Sequence, residues 1–166
     1  MIQYNFCPQC GLAIDPATVP AHCSNCNMTY WRNAKPGASV LPIKDGKVLL
    51  AKRGREPMKG HFDIIGGFME ADEVPEAAAI REAKEETGLD VKIIELLGMY
   101  NDSYGEGGDR TLNLHYIGEI TGGEMKAMDD VADLEWFDID NLPLDQGFQN
   151  TQDGLRDLKK WYDSQR

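Results

Sequence analysis

The 166-residue chain predicts the α+β class, with α/β as the alternative, around a mixed sheet and behind a small cysteine-bearing unit. Three observations carry this. Strand-like runs alternate with two helix-like ones. A turn dipeptide, Asp45-Gly46, separates two of the strand-like runs. All four cysteines fall between Cys7 and Cys26, which sets the beginning apart. We place residues 1–33 in the small unit and 34–166 in the larger one, with the Pro and Gly of 32–37 serving as a connector.

Taken in order, residues 38–43 and 47–52 are strand-like and flank Asp45-Gly46, so a hairpin is expected there. Residues 75–86 read as a helix. Pro75 suits the first turn, Ala77, Ala78, Ala79 and Ile80 favour helix or packing, and Gly88 supplies the stop, although Val74 is a poor N-cap. Residues 91–100 and 111–120 are strand-like around a glycine-rich loop, 105–108, and 134–137 is a further short strand. Leu155, Leu158, Trp161 and Tyr162 fall on one side of a C-terminal helix.

Composition narrows the function classes. Lys plus Arg number 17 against 28 Asp plus Glu, a net charge of −11, which argues against a nucleic-acid partner that needs a positive surface. An anionic substrate stays possible where metal ions invert the local field. No apolar run approaches the ~18 residues that span a bilayer. The start, Met1 to Phe6, lacks the basic end and apolar stretch of a secretion signal. No membrane association, a cytoplasmic location and reduced cysteines are therefore expected.

Glu82, Glu85 and Glu86 stand at i, i+3 and i+4 of the first helix, so their carboxylates share one face. Like charges crowded in this way call for a counter-cation, and hard oxygen ligands select Mg²⁺ or Mn²⁺. A solvated acidic face is the alternative from the helix alone. The surrounding spacing decides between them. Gly67, Glu73, Arg81, Glu82, Glu85, Glu86 and Gly88 occupy all seven fixed positions of Gly-x5-Glu-x7-Arg-Glu-U-x-Glu-Glu-x-Gly-U, where U is a bulky aliphatic residue. Leu89 fills the last aliphatic position and Ala83 is smaller than the pattern asks. At ordinary residue usage such a match arises at a given start about once in 10⁸.

This segment resembles the box of the Nudix hydrolases, and the likeness extends over about residues 36–143. The resemblance implies a mixed sheet sandwiched between helices, with the box as loop, helix and loop. It also implies Mg²⁺-dependent hydrolysis of the pyrophosphate bond in a nucleoside diphosphate linked to another group. By the same resemblance Glu82 and Glu86 bind the ions, Glu85 is a further ligand or the water-orienting base, and the Gly66 carbonyl is another ligand. Glu73 and Arg81 hold the loop to the helix. Similar proteins supply a later acid before the penultimate strand. Asp129 and Asp130 lie there, where relatives more often have Glu, and an acidic turn in water is the competing reading.

The cysteines form two C-x2-C pairs, Cys7/Cys10 and Cys23/Cys26, the spacing of a closed tetrahedral Zn²⁺ site. A redox pair or free thiols is the alternative, and His22 is a spare ligand. A zinc ribbon before such a domain resembles the architecture of NADH pyrophosphatases, but their Ser-Gln-Pro-Trp run after the box is missing here. A dinucleotide or ADP-linked compound of the NADH, ADP-ribose or FAD type is therefore the expected small-molecule substrate. A nucleoside triphosphate pyrophosphohydrolase and a non-catalytic nucleotide sensor or scaffold stand as alternatives, and a homodimer stays open. Tyr104, in the polar loop, is the candidate stacking face for a base, with Tyr100 and Tyr116 read as core. Arg53, flanked by Lys52 and Arg55, is the candidate phosphate holder, with ordinary surface charge the competing reading.

Overall fold

The computed structural model describes residues 4–166. Met1, Ile2 and Gln3, which open both the expected 1–33 unit and the segment read for a secretion signal, lie outside the described residues. Ahead of the main sheet are two short antiparallel strands, β1 (Ala21–His22) and β2 (Thr29–Tyr30). The buried core here is Cys7, Ile14 and Cys23, with Ala21, Cys26 and Tyr30 packed beside it. So small an apolar core yields little burial energy by itself.

The expected hairpin is formed by β3 (Lys35–Lys44) and β4 (Lys47–Arg53), paired at Ile43–Val48 and Lys44–Lys47. Asp45 and Gly46 take φ of 51° and 74°, the two positive values that a tight two-residue turn of matching twist requires. The earlier part of β3 leaves β4 and pairs on one side with β6 (Ile65–Phe68), antiparallel, and on the other with β8 (Arg110–Gly123), parallel. β7 (Leu89–Ser103) runs antiparallel to β8. β4 carries β5 (Phe62–Asp63) and β9 (Val131–Asp138), both antiparallel. The sheet is therefore mixed, as expected.

Side chains alternate across this sheet, and the alternation sorts them into two cores. Ala38 and Val40 of β3 with Leu49 and Ala51 of β4 face α1 (Pro75–Thr87), meeting Ala78, Ala79 and Ala83. Leu41, Val48 and Leu50 face α2 (Gln149–Ser164), meeting Leu155 and Leu158, with Trp161 and Tyr162 at the edge. The small Ala83, an oddity in the sequence, is fully buried where α1 lies on the sheet. α1 begins at Pro75 without a side-chain cap from Val74 and stops at Gly88, whose φ of 70° turns the chain into β7 while its N–H bonds the Lys84 carbonyl. Among the described residues no helix is long and apolar enough to cross a membrane.

Two features depart from the expectation. β7 and β8 extend beyond residues 91–100 and 111–120 at both ends. β5 and β6 were not legible, because a strand of four residues containing Gly66-Gly67 has little local preference and exists through its pairing with β3.

Candidate functional site

One cleft of about 340 Å³ opens between α1, the sheet and the start of α2. Every residue expected at the site lines it: Gly66, Glu82, Glu85 and Glu86, Asp129 and Asp130, and Arg53 and Tyr104. Its shape depends on β6. Gly66 has φ of 152°, and a Cβ there would stand 2.3 Å from Ser39 Cβ and 2.5 Å from the Ala38 carbonyl, so only glycine lets β6 lie this close to β3. The Gly66 N–H then donates to Glu86 Oε2 at 3.0 Å.

The acidic group is divided by its partners. Arg81 grips Glu73 with two nitrogens, at 3.1 and 2.6 Å, and bonds the Phe68 carbonyl at 3.2 Å. Its remaining nitrogen reaches Glu82 at 2.8 Å and Glu85 at 2.9 Å. Arg81 thus ties the loop before the helix to three carboxylates, and Glu73 is held below the usual carboxylate range by that pairing. Glu86 has no such cation. It is 8% exposed, and burial pushes its carboxyl up to about 9 against the single Gly66 N–H, with the nearby charges of Asp130 and Glu82 adding to the rise. Burial also raises Glu82, partly offset by Arg81. Asp130 is gripped by Arg55 Nε at 2.5 Å, while Asp129 is exposed with φ of 52° in the same turn.

Arg53 and Tyr104 are adjacent but committed. Arg53 donates to the Pro57 carbonyl at 2.7 Å, to Asp63 Oδ2 at 3.2 Å and to the Tyr104 hydroxyl at 3.4 Å. Burial raises Asp63, offset by the Thr151 hydroxyl and Arg53. Tyr104 stacks on Phe148 at 5.7 Å and 20°, and meets Phe68 edge-on at 5.3 Å and 61°. The sequence reading did not single out Phe68 or Phe148. Phe68 is nonetheless 40% exposed beside the cleft. Its place directly after Gly66-Gly67 was the available signal. Lys52 lies over Phe62 at 5.8 Å, and Phe62 packs edge-on against Phe137. Tyr116 is core, and Tyr100 stacks on His115 and bonds Asp157 at 3.0 Å.

The four cysteines form a second constellation. Among the described residues they are the one group of three or more candidate ligands whose donor atoms all lie within 4.8 Å of one another. Cys7 and Cys26 sulfurs are 3.5 Å apart, and those of Cys10 and Cys23 3.6 Å. The edge of a tetrahedron with metal–sulfur bonds of ~2.3 Å is ~3.8 Å, so the group fits a tetrahedral ion. The Tyr30 hydroxyl, 3.2 Å from Cys7 Sγ, pulls that thiol down to about 6.

Comparison with known proteins agrees with this geometry. The family model described as NUDIX domain matches residues 34–158. The ADP-ribose pyrophosphatase of Methanocaldococcus jannaschii is 45% identical over 100 residues, 60% of this chain and 59% of that protein. The NAD-capped RNA hydrolase NudC of Vibrio atlanticus is 30% identical over 162 residues, 91% of this chain and 58% of that protein. The chain thus spans less than three fifths of the length of each. A crystal structure of a NUDIX hydrolase from Nitrosomonas europaea superposes with a TM-score of 0.79 at 24% identity, covering 95% of this chain and 90% of the other.

His115 was missed by sequence reading, since one histidine in a strand carries no motif. It lies buried in the cleft wall, with Nδ1 2.5 Å from Ser39 Oγ and Nε2 unpartnered among the described residues. Burial pushes it down to about 4, from an ordinary 6.5. A depressed histidine stabilises the fold above its unfolded value, and that stability is lost as pH falls from 6.5 toward 4. The shift corresponds to roughly 3 kcal/mol. Urea unfolding across pH 7 to 4 should therefore show a steeper loss for the parent than for His115→Gln, by about that amount. Parallel pH profiles for the two proteins would refute the buried neutral histidine.

Proposed function

The chain belongs to the NUDIX domain family, and on that premise we propose that it hydrolyses the pyrophosphate bond of a nucleoside diphosphate linked to a second group. The observation that carries this is the mixed lining of the cleft. Carboxylates of Glu82, Glu85, Glu86 and Asp130 line it together with the rings of Phe68, Tyr104 and Phe148. A substrate with phosphates beside a planar ring matches both. The names of the two curated relatives, an ADP-ribose pyrophosphatase and an NAD-capped RNA hydrolase, favour a two-ended compound over a triphosphate.

The acidic lining fits a divalent cation. Glu86 is buried with one N–H partner and no positive charge, so its ionised form lacks the counter-charge that burial demands. The donors are hard oxygens, which suit Mg²⁺ or Mn²⁺. Glu82, Glu86 and the Gly66 carbonyl would hold the ion, with Glu85, Asp129 and Asp130 as further ligands. When bound, it neutralises phosphate charge and acidifies a water. Glu85, half exposed and lining the cleft, or an acid of the 129–130 turn would accept a proton from the attacking water. Arg81 orients Glu82 and Glu85 while bracing the loop through Glu73. Arg53, already fixed by Asp63, presents a set charge toward a phosphate.

We assign the cysteine cluster to one structural Zn²⁺ held by Cys7, Cys10, Cys23 and Cys26, within an N-terminal ribbon of residues 1–33 ahead of a hydrolase domain of residues 34–166. The small core there makes metal binding the main source of its folding free energy.

Replacing Glu86 by Gln preserves volume and removes a ligand charge. Turnover should drop more than ~10-fold with the circular dichroism unchanged, and a variant retaining over ~10% activity would contradict the ligand role. In a panel with Mg²⁺, NADH, ADP-ribose, FAD, a nucleotide sugar and nucleoside triphosphates are compared at equal concentration. A two-ended compound should turn over fastest and release a nucleoside monophosphate, and faster triphosphate cleavage would defeat the substrate reading. Elemental analysis should find one Zn²⁺ per chain. Chelation should raise hydrogen exchange in residues 4–33 more than elsewhere; folded, metal-free protein with four titratable thiols would overturn the zinc assignment.

A further inference from the structure

We propose that the ring-lined part of the cleft is a nucleobase subsite selecting bases with an exocyclic amino group, in which Asn113 Oδ1 is the selecting acceptor and Phe68 the stacking face. It rests on the hydrolase reading above and specifies which nucleoside that reaction takes.

The argument starts from strand register. Phe68 of β6 pairs with Gly37 of β3, Gly37 with Asn113 of β8, and Asn113 with Tyr100 of β7. Residues paired laterally across a sheet project to the same face. Phe68 and Asn113 therefore share a face and are separated by a position without a side chain. A Cβ at Gly37 would come within 2.9 Å of Asn113 Oδ1 and 3.2 Å of the Gly67 carbonyl. Glycine at 37 thus lets the amide lean toward Phe68.

The orientation of that amide is determined by its partners. Its Nδ2 donates to Thr111 Oγ1 at 2.9 Å and to the Tyr100 carbonyl at 3.4 Å. The carbonyl can only accept, so the nitrogen must face it. Oδ1 is left without a hydrogen bond among the described residues, in a half-buried residue that lines the cleft. A carbonyl oxygen offers lone pairs alone, so it attracts an amino N–H and repels a keto oxygen at the same place.

Stacking falls to Phe68 rather than Tyr104. One face of Tyr104 is stacked on Phe148, and its ring meets Phe68 edge-on, which braces Phe68. Phe68 remains 40% exposed, and Lys35 lies 5.8 Å from its ring while paired with Asp109. A flat base laid on Phe68 brings its edge to Asn113. Stacking is indifferent to the base, so discrimination resides in the amide.

The test uses the whole chain with Mg²⁺ and two substrates that differ in one group, ADP-ribose with a 6-amino base and its inosine counterpart with a 6-oxo base. The parent should favour the amino substrate at least ~10-fold in kcat/KM, since a polar site disfavours an analogue lacking the matching donor. Asn113→Ser should bring the ratio toward one, mainly by slowing the amino substrate. Phe68→Leu should slow both alike and keep the ratio. Thr111→Val removes the nearer of the two oxygens that hold Nδ2, leaving the 3.4 Å contact to the Tyr100 carbonyl, and should lower the ratio even if Asn113→Ser fails to fold. Equal rates on both bases in the parent overturn the subsite while the hydrolase reading stands. Should neither substrate be cleaved, calorimetry with AMP and IMP decides: AMP binding at least ~10-fold tighter, with the difference reduced in Thr111→Val, upholds the subsite although the hydrolase reading falls, and equal or absent binding overturns it.

Discussion

The hydrogen bond from the Gly66 N–H to the Glu86 carboxylate joins the last turn of α1 to the sheet, and much of the cleft hangs on it. It exists because β6 lies against β3 at a separation no side chain at position 66 would allow. The same end of α1 organises the chain beyond it. The Glu86 carbonyl accepts the Met128 N–H and the Thr87 carbonyl accepts the Lys126 N–H, so the segment leading to Asp129 and Asp130 is tied beside the glutamates. The Gly54 N–H bonds the Asp130 carbonyl at 2.7 Å, bringing the end of β4 and its arginines to the same place. Backbone bonds at the end of α1 and the end of β4 thus gather distant segments around the cleft.

Charge within this assembly is unevenly compensated. Arg81 serves Glu73, Glu82 and Glu85, and Arg55 serves Asp130, but the most deeply buried of these carboxylates, Glu86, receives only a backbone N–H. A buried carboxylate without a cation gives up its charge, which is why burial drives Glu86 to about 9. The arginine contacts near the surface are screened by water and add little stability individually. Their effect is geometric, since a planar guanidinium with donors on several sides can hold loop, helix and carboxylates in fixed relation.

The aromatic lining of the cleft has a different physics. Phe68, Tyr104 and Phe148 come from β6, the loop after β7 and the start of α2, and they brace one another by edge and face contacts. Behind them the sheet presents Ser39, Asn113 and His115: Ser39 bonds His115 and the Leu114 carbonyl, and Asn113 bonds Thr111 and the Tyr100 carbonyl. A floor so arranged keeps its polar atoms in set orientations, which is what selectivity toward a flat ligand requires.

Local chemistry alone determined several parts of this protein. Asp45-Gly46 adopts its turn because both residues tolerate positive φ, α1 stops at Gly88 for the same reason, and helical spacing is enough to turn Glu82, Glu85 and Glu86 toward the same cleft. The two C-x2-C pairs likewise foretell a four-sulfur cluster. These features depend on residues a few positions apart. The tertiary structure decided the rest. β5 and β6 became strands only through β3 and β4, Arg53 became committed through Asp63 and Tyr104, and His115 acquired its buried place from Ser39 and Tyr100, 76 residues before it in one case. Phe68 and Phe148 joined Tyr104 in the same way. Such contacts arise from strand register and helix docking, which no short window of sequence encodes, so their residues carry no local signature of the role they acquire.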